Sequence, residues 1–153
     1  MRSSLPPDPV TDLWFRVLNE IGIVAQLATR LLEARLPEGF LVSHFTVLNH
    51  LVRVRDGRMP LELARAFQVP KTSMTHTLAG LERAGLVEMR PNPEDGRSKR
   101  VWITDGGRAF RAEAIAALAP DFARLAEPYP TERLAGLLPD LAALRQVLDE
   151  DRD

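Results

Sequence analysis

Hydrophobic residues recur at helical spacing along the first part of the chain. Asp8 followed by Pro9 is typical of a helix cap and a first helical residue. Beyond them, apolar residues follow at three- and four-residue steps, namely Trp14, Val17, Leu18, Ile21, Val24, Ala28, Leu31 and Leu32. The pattern predicts an amphipathic helix over residues 8–36. At roughly 1.5 Å per residue this helix is about 39 Å long, so it is either a long core helix or a helix shared with a second chain.

The middle of the chain predicts three shorter helices. Ser43 is a suitable cap for the first, which ends at the turn Asp56–Gly57. Pro60 suits the first turn of the second, and Pro70 opens a third that ends where Gly85 supplies a left-handed position. Three short helices, with a tight turn between the last two, have the outline of a helix-turn-helix.

The hydrophobic period then changes from 3.6 to 2 beyond the third short helix. Val87 and Met89 alternate with polar residues, and so do Val101 and Ile103. The segment between them, PNPEDGRSK, is rich in turn-forming residues. We therefore expect a β-hairpin directly after the helix-turn-helix, which makes residues 43–107 a winged module.

Helical spacing returns in the last third of the chain. Thr104 is placed to cap a helix, and Pro120 is expected to kink or divide that helix. Leucines nearer the C-terminus follow an alternating three- and four-residue spacing that Pro139 interrupts, which predicts a bent helix. The expected fold class is mainly α with a small β-hairpin wing, and helices over about 8–36 and 108–150 flank the winged module.

The length and composition fit a single folded domain over residues 1–153. The chain is 45% hydrophobic, which is enough to bury a core. No apolar run reaches the roughly 18–20 residues that a bilayer crossing needs, and the first ten residues lack the apolar centre of a secretory signal. The chain has no Cys, which excludes disulfides and thiolate metal sites. We expect a cytoplasmic protein that does not associate with membranes.

The formal net charge of −1 conceals an uneven distribution of charge along the chain. Residues 53–100 carry ten basic and six acidic side chains, a net charge of +4, whereas residues 1–52 carry −1 and residues 101–153 carry −4. Binding to a polyanion depends on the local field rather than on the total charge. The basic middle segment is compatible with a nucleic-acid partner, although solvated helix faces produce a similar excess by chance.

Residues 68–107, QVPKTSMTHTLAGLERAGLVEMRPNPEDGRSKRVWITDGG, resemble the MarR family of bacterial winged helix-turn-helix transcriptional regulators. The likeness is carried by Leu81, Glu82, Gly85, Leu86, Val87, Asp95, Arg97, Ile103, Thr104 and Gly107. The resemblance implies an obligate homodimer whose N-terminal and C-terminal helices interleave. It also implies binding to a pseudo-palindromic operator in double-stranded DNA, usually as a repressor, and commonly release by a small molecule.

The predicted recognition helix has an apolar face and a polar face. Apolar side chains at positions 74, 78 and 81 point to the core. The outer face of the first two turns then carries Lys71, Thr72, Ser73, Thr75 and His76. A helix that enters the major groove with its N-terminus first needs a positive end, short hydroxyl side chains and a few donors. We predict that these five residues contact bases and phosphates; the alternative is an ordinary solvated helix start.

The predicted wing carries a second set of candidate DNA contacts. Arg97 follows Gly96 at the expected hairpin tip, from which a guanidinium can enter a narrow minor groove. Lys99 and Arg100, on the strand that leaves the tip, suit contact with phosphates. A carboxylate does not bind DNA favourably, so we expect Asp95 to pair with Arg97 or Arg100 and to order the wing. The alternative is a soluble hairpin turn with no ligand.

The small-molecule release that the resemblance implies needs an effector cleft, which we expect to be lined by residues 14–21, 40–50 and 110–122. Its expected contacts are Trp14, Phe45 and His50, which favour a small aromatic or amphipathic compound. No metal is expected, because His44 and His50 lie about 240° apart around one helix. The sequence has no phosphate-binding loop, dinucleotide motif or nucleophile motif, so we expect neither a cofactor nor catalysis.

A winged-helix module that binds another protein, without operator binding, is the alternative function. Such a module is expected to have an uncharged wing or an outer helix face that lacks donors. This chain has neither feature. Nanomolar binding to DNA would distinguish the two functions.

Overall fold

A computed structural model describes residues 8–152 of the chain. Over these residues the chain forms seven helices and one two-stranded antiparallel sheet, which confirms the expected fold class. In chain order the elements are α1 (Pro9–Glu33), α2 (Val42–Arg53), α3 (Pro60–Phe67), α4 (Lys71–Arg83), β1 (Val87–Asn92), β2 (Asp95–Ile103), α5 (Asp105–Ala116), α6 (Ala119–Ala126) and α7 (Thr131–Glu150).

The start of α1 follows the prediction, whereas its end does not. The Asp8 carboxylate accepts hydrogen bonds from the backbone N–H groups of Val10, at 3.0 Å, and Thr11, at 3.2 Å, and so caps the helix. The helix ends at Glu33, three residues before the predicted end. None of its residues is buried in the single chain, and large apolar side chains such as Leu27 remain 66% exposed.

The predicted cap of α2 is wrong. Ser43 lies inside the helix, and Leu41 occupies the cap position. His44 Nδ1 accepts the Leu41 N–H at 2.9 Å, and a Glu33 carboxylate oxygen at the end of α1 accepts the Val42 N–H at 3.0 Å. Because these two acceptors satisfy the first donors of the helix, the Ser43 hydroxyl is not needed there.

The core is formed by α2, α3, α4 and the two strands. Its buried members are Val47, Leu48, Leu51, Leu63, Ala64, Met74, Leu78, Leu81, Leu86, Val87, Val101 and Ile103. The turn between α3 and α4 passes through Gln68 in the left-handed region, at φ 51°. Gly85 takes up the same region after α4, at φ 71°, as the sequence predicts.

The chain divides into two compact units between Ala116 and Ala117. The second unit contains α6 and α7, and Pro120 lies in the first turn of α6, so the predicted division of the helix near Ala119 is confirmed. The helix α7 continues through Pro139 with none of its residues buried; the bend at Pro139 stays a prediction. Among residues 8–152, no helix combines the length and the apolar character needed to cross a bilayer.

Candidate nucleic-acid interface

The helix α4 presents a polar face to solvent and an apolar face to the core. All five residues predicted to contact DNA are exposed, namely Lys71, Thr72, Ser73, Thr75 and His76. Met74, Leu78 and Leu81 are buried beneath them, as predicted, and Thr77 is buried as well. The structure therefore brings the five candidates together on one surface of one helix.

The first turn of α4 presents backbone N–H donors at the N-terminus of the helix. Pro70 occupies the cap position and supplies no side-chain hydrogen bond, so the positive end of the helix is left without a capping oxygen from that residue. The Thr75 hydroxyl donates to the Lys71 carbonyl at 2.9 Å, which fixes the direction of the Thr75 side chain. This end of the helix can accept an anion such as a phosphate.

Two histidines lie at the contact between α2 and α4. Burial lowers the pKa of His44, and the neighbouring His76 lowers the pKa of His44 further. A Cβ atom at Gly80 would lie 3.0 Å from His44 Nε2, so Gly80 allows α4 to approach the ring closely. The ring of His44 also meets Phe40 edge to face, with 5.5 Å between the centroids. The contact therefore favours a neutral imidazole.

The wing is an antiparallel hairpin whose register changes near its end. Pro91 pairs with Lys99, whereas Asn92, the next residue, pairs with Asp95. Residues 96–98 therefore form a bulge in β2 without partners in the ladder. The turn lies at residues 93–94, within the turn expected over residues 93–96. Arg97 lies in this bulge, and its side chain is exposed.

Asp95 orders the wing by a contact that differs from the predicted one. Its carboxylate accepts the backbone N–H of Arg97 at 3.0 Å, and its carbonyl accepts the Ser98 hydroxyl at 3.1 Å. The predicted ion pair with a guanidinium is absent over residues 8–152, because the short Asp95 side chain already closes the turn of its own loop. The exposed Arg97 guanidinium has no protein partner in the described part of the chain.

Arg100 is held inside the protein. Its Nε donates to Asn92 Oδ1 at 3.1 Å, and its Nη1 donates to the Gly57 carbonyl at 3.0 Å. A carboxylate oxygen of Glu94 lies 3.8 Å from Nη2, and the side chain is only 17% exposed. Two donors of Arg100 are therefore engaged within the protein, one of them by the loop between α2 and α3, so its surroundings differ from those of an exposed phosphate-binding residue. Lys99, by contrast, is exposed as predicted.

The loop between α2 and α3 runs beside β2. The Asp56 carboxylate accepts the Ile103 N–H at 3.0 Å, and the Arg58 carbonyl accepts the Val101 N–H at 2.8 Å. Gly57, at φ 68°, packs so closely on the Trp102 ring that a Cβ atom would lie 2.6 Å from it. Sequence reasoning missed this attachment of the wing, because it assigned the Asp-Gly pair only to the end of a helix.

The polar face of α4 and the wing meet at one groove. Thr75 from α4 and Lys99 from β2 both line this groove, whose volume is about 180 Å³. Its remaining lining residues are Pro60, Leu78, Ala79, Glu82 and Met89. Thr75 on the helix and Lys99 on the wing therefore lie on one surface.

The candidate effector residues lie on different elements. Trp14 is 44% exposed on α1, and Phe45 is partly buried on α2. The His50 ring meets Phe67 of α3 edge to face at 5.3 Å, and its Nε2 is buried without a hydrogen bond. Burial lowers the pKa of His50, and the nearby guanidinium groups lower it further. No described contact joins Trp14, Phe45 and His50, so the effector cleft stays a prediction.

The described residues do not form a metal centre. No group of three or more His, Asp or Glu side chains between residues 8 and 152 is arranged to hold a metal ion. The polar surface on α4 and the wing is instead suited to an anionic partner.

Comparisons with known proteins agree with this geometry. A model of the MarR family matches residues 38–98. The transcriptional activatory protein BadR of Rhodopseudomonas palustris is 33% identical over 98 residues, which are 63% of this chain and 54% of BadR. The chain thus spans about half the length of this relative.

Two solved structures from E. coli have a similar fold. The apo form of wild-type MarR has a TM-score of 0.71 at 26% identity, over 92% of this chain and 98% of that one. A cysteine-to-serine mutant of MarR, complexed with operator DNA, has a TM-score of 0.68 at 26% identity, over 90% of this chain and 99% of that one.

Proposed function

The chain belongs to the MarR family of winged-helix regulators, and from this premise we propose that it is a homodimeric transcriptional regulator that binds a pseudo-palindromic operator in double-stranded DNA. The observation that carries the proposal is the single surface formed by the exposed start of α4 and the wing. Lys71, Thr72, Ser73, Thr75 and His76 supply donors for the major groove. Arg97 supplies a guanidinium for the adjacent minor groove.

Within this surface, the wing residues have different roles. Lys99 is exposed beside Thr75, so we assign it to contact with a phosphate. Asp95 is assigned to ordering of the loop that carries Arg97. Arg100 is assigned to support of the wing, because its donors already have partners within the protein.

The proposal of a homodimer is supported by uncovered apolar surface. Large apolar side chains stay exposed on α1, such as Phe15 at 67%, and on α7, such as Leu138 at 67%. A soluble protein rarely leaves such surfaces in water. A second copy of the chain that covers them would also supply the second recognition helix, which must lie about 34 Å from the first to enter the next major groove.

A small aromatic or amphipathic effector is a finer part of the proposal. Such a compound would bind more tightly to a dimer with one spacing of the two recognition helices than to a dimer with another spacing. It would thereby lower the affinity for DNA by at most the difference between its own affinities for the two forms. Trp14, Phe45 and His50 remain the residues to substitute. The predicted repressor role is tested separately, because the relative BadR is named as an activatory protein.

Selection of bound sequences from a random DNA pool tests the proposed function. We expect a palindrome whose half-sites are about one helical turn apart. The control is the double variant Lys71→Ala with Arg97→Ala, which should select no motif. Absence of any enriched sequence for the unmodified protein would favour the alternative of a protein-binding module. A reporter gene placed behind the selected operator then shows whether the protein represses or activates.

A further inference from the structure

Arg100 is one of the residues that join the wing to the rest of the protein. Its guanidinium joins Asn92 Oδ1 in the wing to the Gly57 carbonyl in the loop between α2 and α3. Because two of its nitrogens are engaged in different directions and the side chain is only 17% exposed, little of this charge faces solvent. Arg100 therefore links two segments of the protein and is not placed as a surface contact.

Asn92 is the second member of this arrangement. It is 5% exposed, and its Oδ1 accepts the Glu94 N–H at 3.2 Å in addition to the Arg100 donor. Its Nδ2 donates to the Ser98 hydroxyl at 3.1 Å and lies 3.8 Å from the sulfur of Met59. One buried amide therefore holds the turn at one end of the bulge and the strand at the other end.

Arg97 lies between the two segments that Asn92 holds. Residues 96–98 have no paired residues in the ladder, and side-chain contacts hold the backbone on both sides of Arg97. The Asp95 carboxylate fixes the Arg97 N–H, and Asn92 fixes Ser98 on the other side. A guanidinium that must enter a narrow groove gains from such order, because an unordered loop would lose conformational entropy on binding.

We propose that Asn92 and Arg100 are positioning residues for DNA binding: they hold the bulge so that Arg97 projects toward the minor groove, and Arg100 itself contacts no DNA. This inference rests on the proposed function. It assigns to a basic residue near the end of the wing a role that differs from the usual contact of a basic residue with a phosphate.

A double-mutant cycle on the selected operator tests the inference. Arg100→Gln and Asn92→Ala should each weaken operator binding about tenfold. In a protein that already carries Arg97→Ala, each should weaken binding by less than about a further twofold, because the only function lost is the placement of Arg97. Asn92→Ala is the sharper variant, because it leaves every basic side chain in place. Arg100→Lys should bind as weakly as Arg100→Gln, because an ammonium group cannot join both acceptors in the same geometry.

Lys99→Ala is the matched control for a direct phosphate contact. The fold-losses of affinity caused by Lys99→Ala and by Arg97→Ala should multiply in the double variant. In Lys99→Ala, the slope of log affinity against log salt concentration should also become shallower by about 0.9. The inference is overturned if Arg100→Lys binds the operator as tightly as the unmodified protein. It is also overturned if the fold-losses of affinity caused by Arg100→Gln and Arg97→Ala multiply in the double variant, as those of Lys99→Ala and Arg97→Ala should. Failure of the unmodified protein to bind any DNA would instead overturn the proposed function and this inference with it.

Hydrogen exchange in the free protein provides a readout that does not depend on DNA. In Asn92→Ala, amides over residues 94–98 should exchange faster while those of α2 and α4 stay as protected as before, which also shows that the variant is folded. Unchanged exchange over residues 94–98 would contradict the inference even if the affinity for DNA fell.

Discussion

Arg97 and Arg100 lie three residues apart on one strand and have different surroundings. Arg97 is exposed, whereas Arg100 is bound to Asn92 and Gly57. Sequence reasoning assigns both residues to DNA because both are basic and near a turn. The structure separates them because Arg100 contacts Gly57, a residue in a distant segment of the chain, whereas Arg97 lies in the bulge of β2.

Replacement of Arg97 tests the exposed arginine in the bulge of the wing. Arg97→Ala should weaken operator binding by about 1–3 kcal/mol, because one groove contact is lost. The melting temperature should not change, since the side chain has no described protein partner. A gel-shift titration and a thermal melt measure the two quantities. Arg90→Ala is a suitable control, because Arg90 is paired with Glu88 at 2.9 Å within the wing. Equal affinity of Arg97→Ala and the unmodified protein would contradict the prediction.

Acid should destabilise the protein through its two partly buried histidines. The folded state lowers the pKa of His44, chiefly by burial, and likewise that of His50. Below the ordinary pKa of 6.5 the unfolded chain therefore binds protons that the folded chain does not. The contribution of the two histidines to stability is fully present above that pH. It is lost as the pH falls toward their pKa values in the folded state. The melting temperature should drop between about pH 7.5 and about pH 5.5.

The His44 contribution can be separated by two substitutions. His44→Gln keeps an acceptor for the Leu41 N–H and does not titrate, so the drop in melting temperature with acid should become smaller. His44→Ala removes the acceptor, so it should melt at a lower temperature even at about pH 7.5. An unchanged pH dependence in His44→Gln would assign the effect to other groups.

Among the elements, those specified by local signals were predicted and those specified by distant contacts were not. Asp8 and Thr104 cap their helices as expected, because the cap and its donors lie within three residues of each other. Ser43 does not, because the Glu33 carboxylate at the end of the preceding helix and the His44 ring supply the acceptors. The Arg100 contact with Gly57 joins residues 43 positions apart, and no local pattern indicates it.

The loop between α2 and α3 should be sensitive to a single added methyl group. Gly57→Ala places a side chain at φ 68° and within 2.6 Å of Trp102, so both strain and overlap oppose it. We expect a loss of about 2–4 kcal/mol of unfolding free energy by denaturant titration. Gly22→Ala is the matched control, because that helical glycine has open space around its Cβ position; it should stabilise the protein by about 0.5–1 kcal/mol. Equal stability of the two variants would contradict the argument.

For the whole molecule, the proposed dimer links assembly to DNA binding. Val24 is 60% exposed on α1, and Val24→Glu should convert a particle of about twice 17.1 kDa into a single chain. Loss of the second recognition helix should then abolish specific binding. Analytical ultracentrifugation and a gel shift measure both effects. Arg16→Glu, at an exposed polar position on the same helix, should change neither. A single 17.1 kDa species for the unmodified protein would contradict the proposal.

The uncovered leucines of α7 and the apolar positions of α1 have a consequence for how much of the proposed dimer a cell can hold. In the proposed homodimer, a newly made copy exposes these apolar helix faces until it pairs with another copy, and during that interval it is a substrate for chaperones and proteases. At low synthesis rates a larger share of copies is degraded before pairing. The amount of the proposed dimer should therefore rise more steeply than the rate of its translation, which gives the gene a threshold without any additional component.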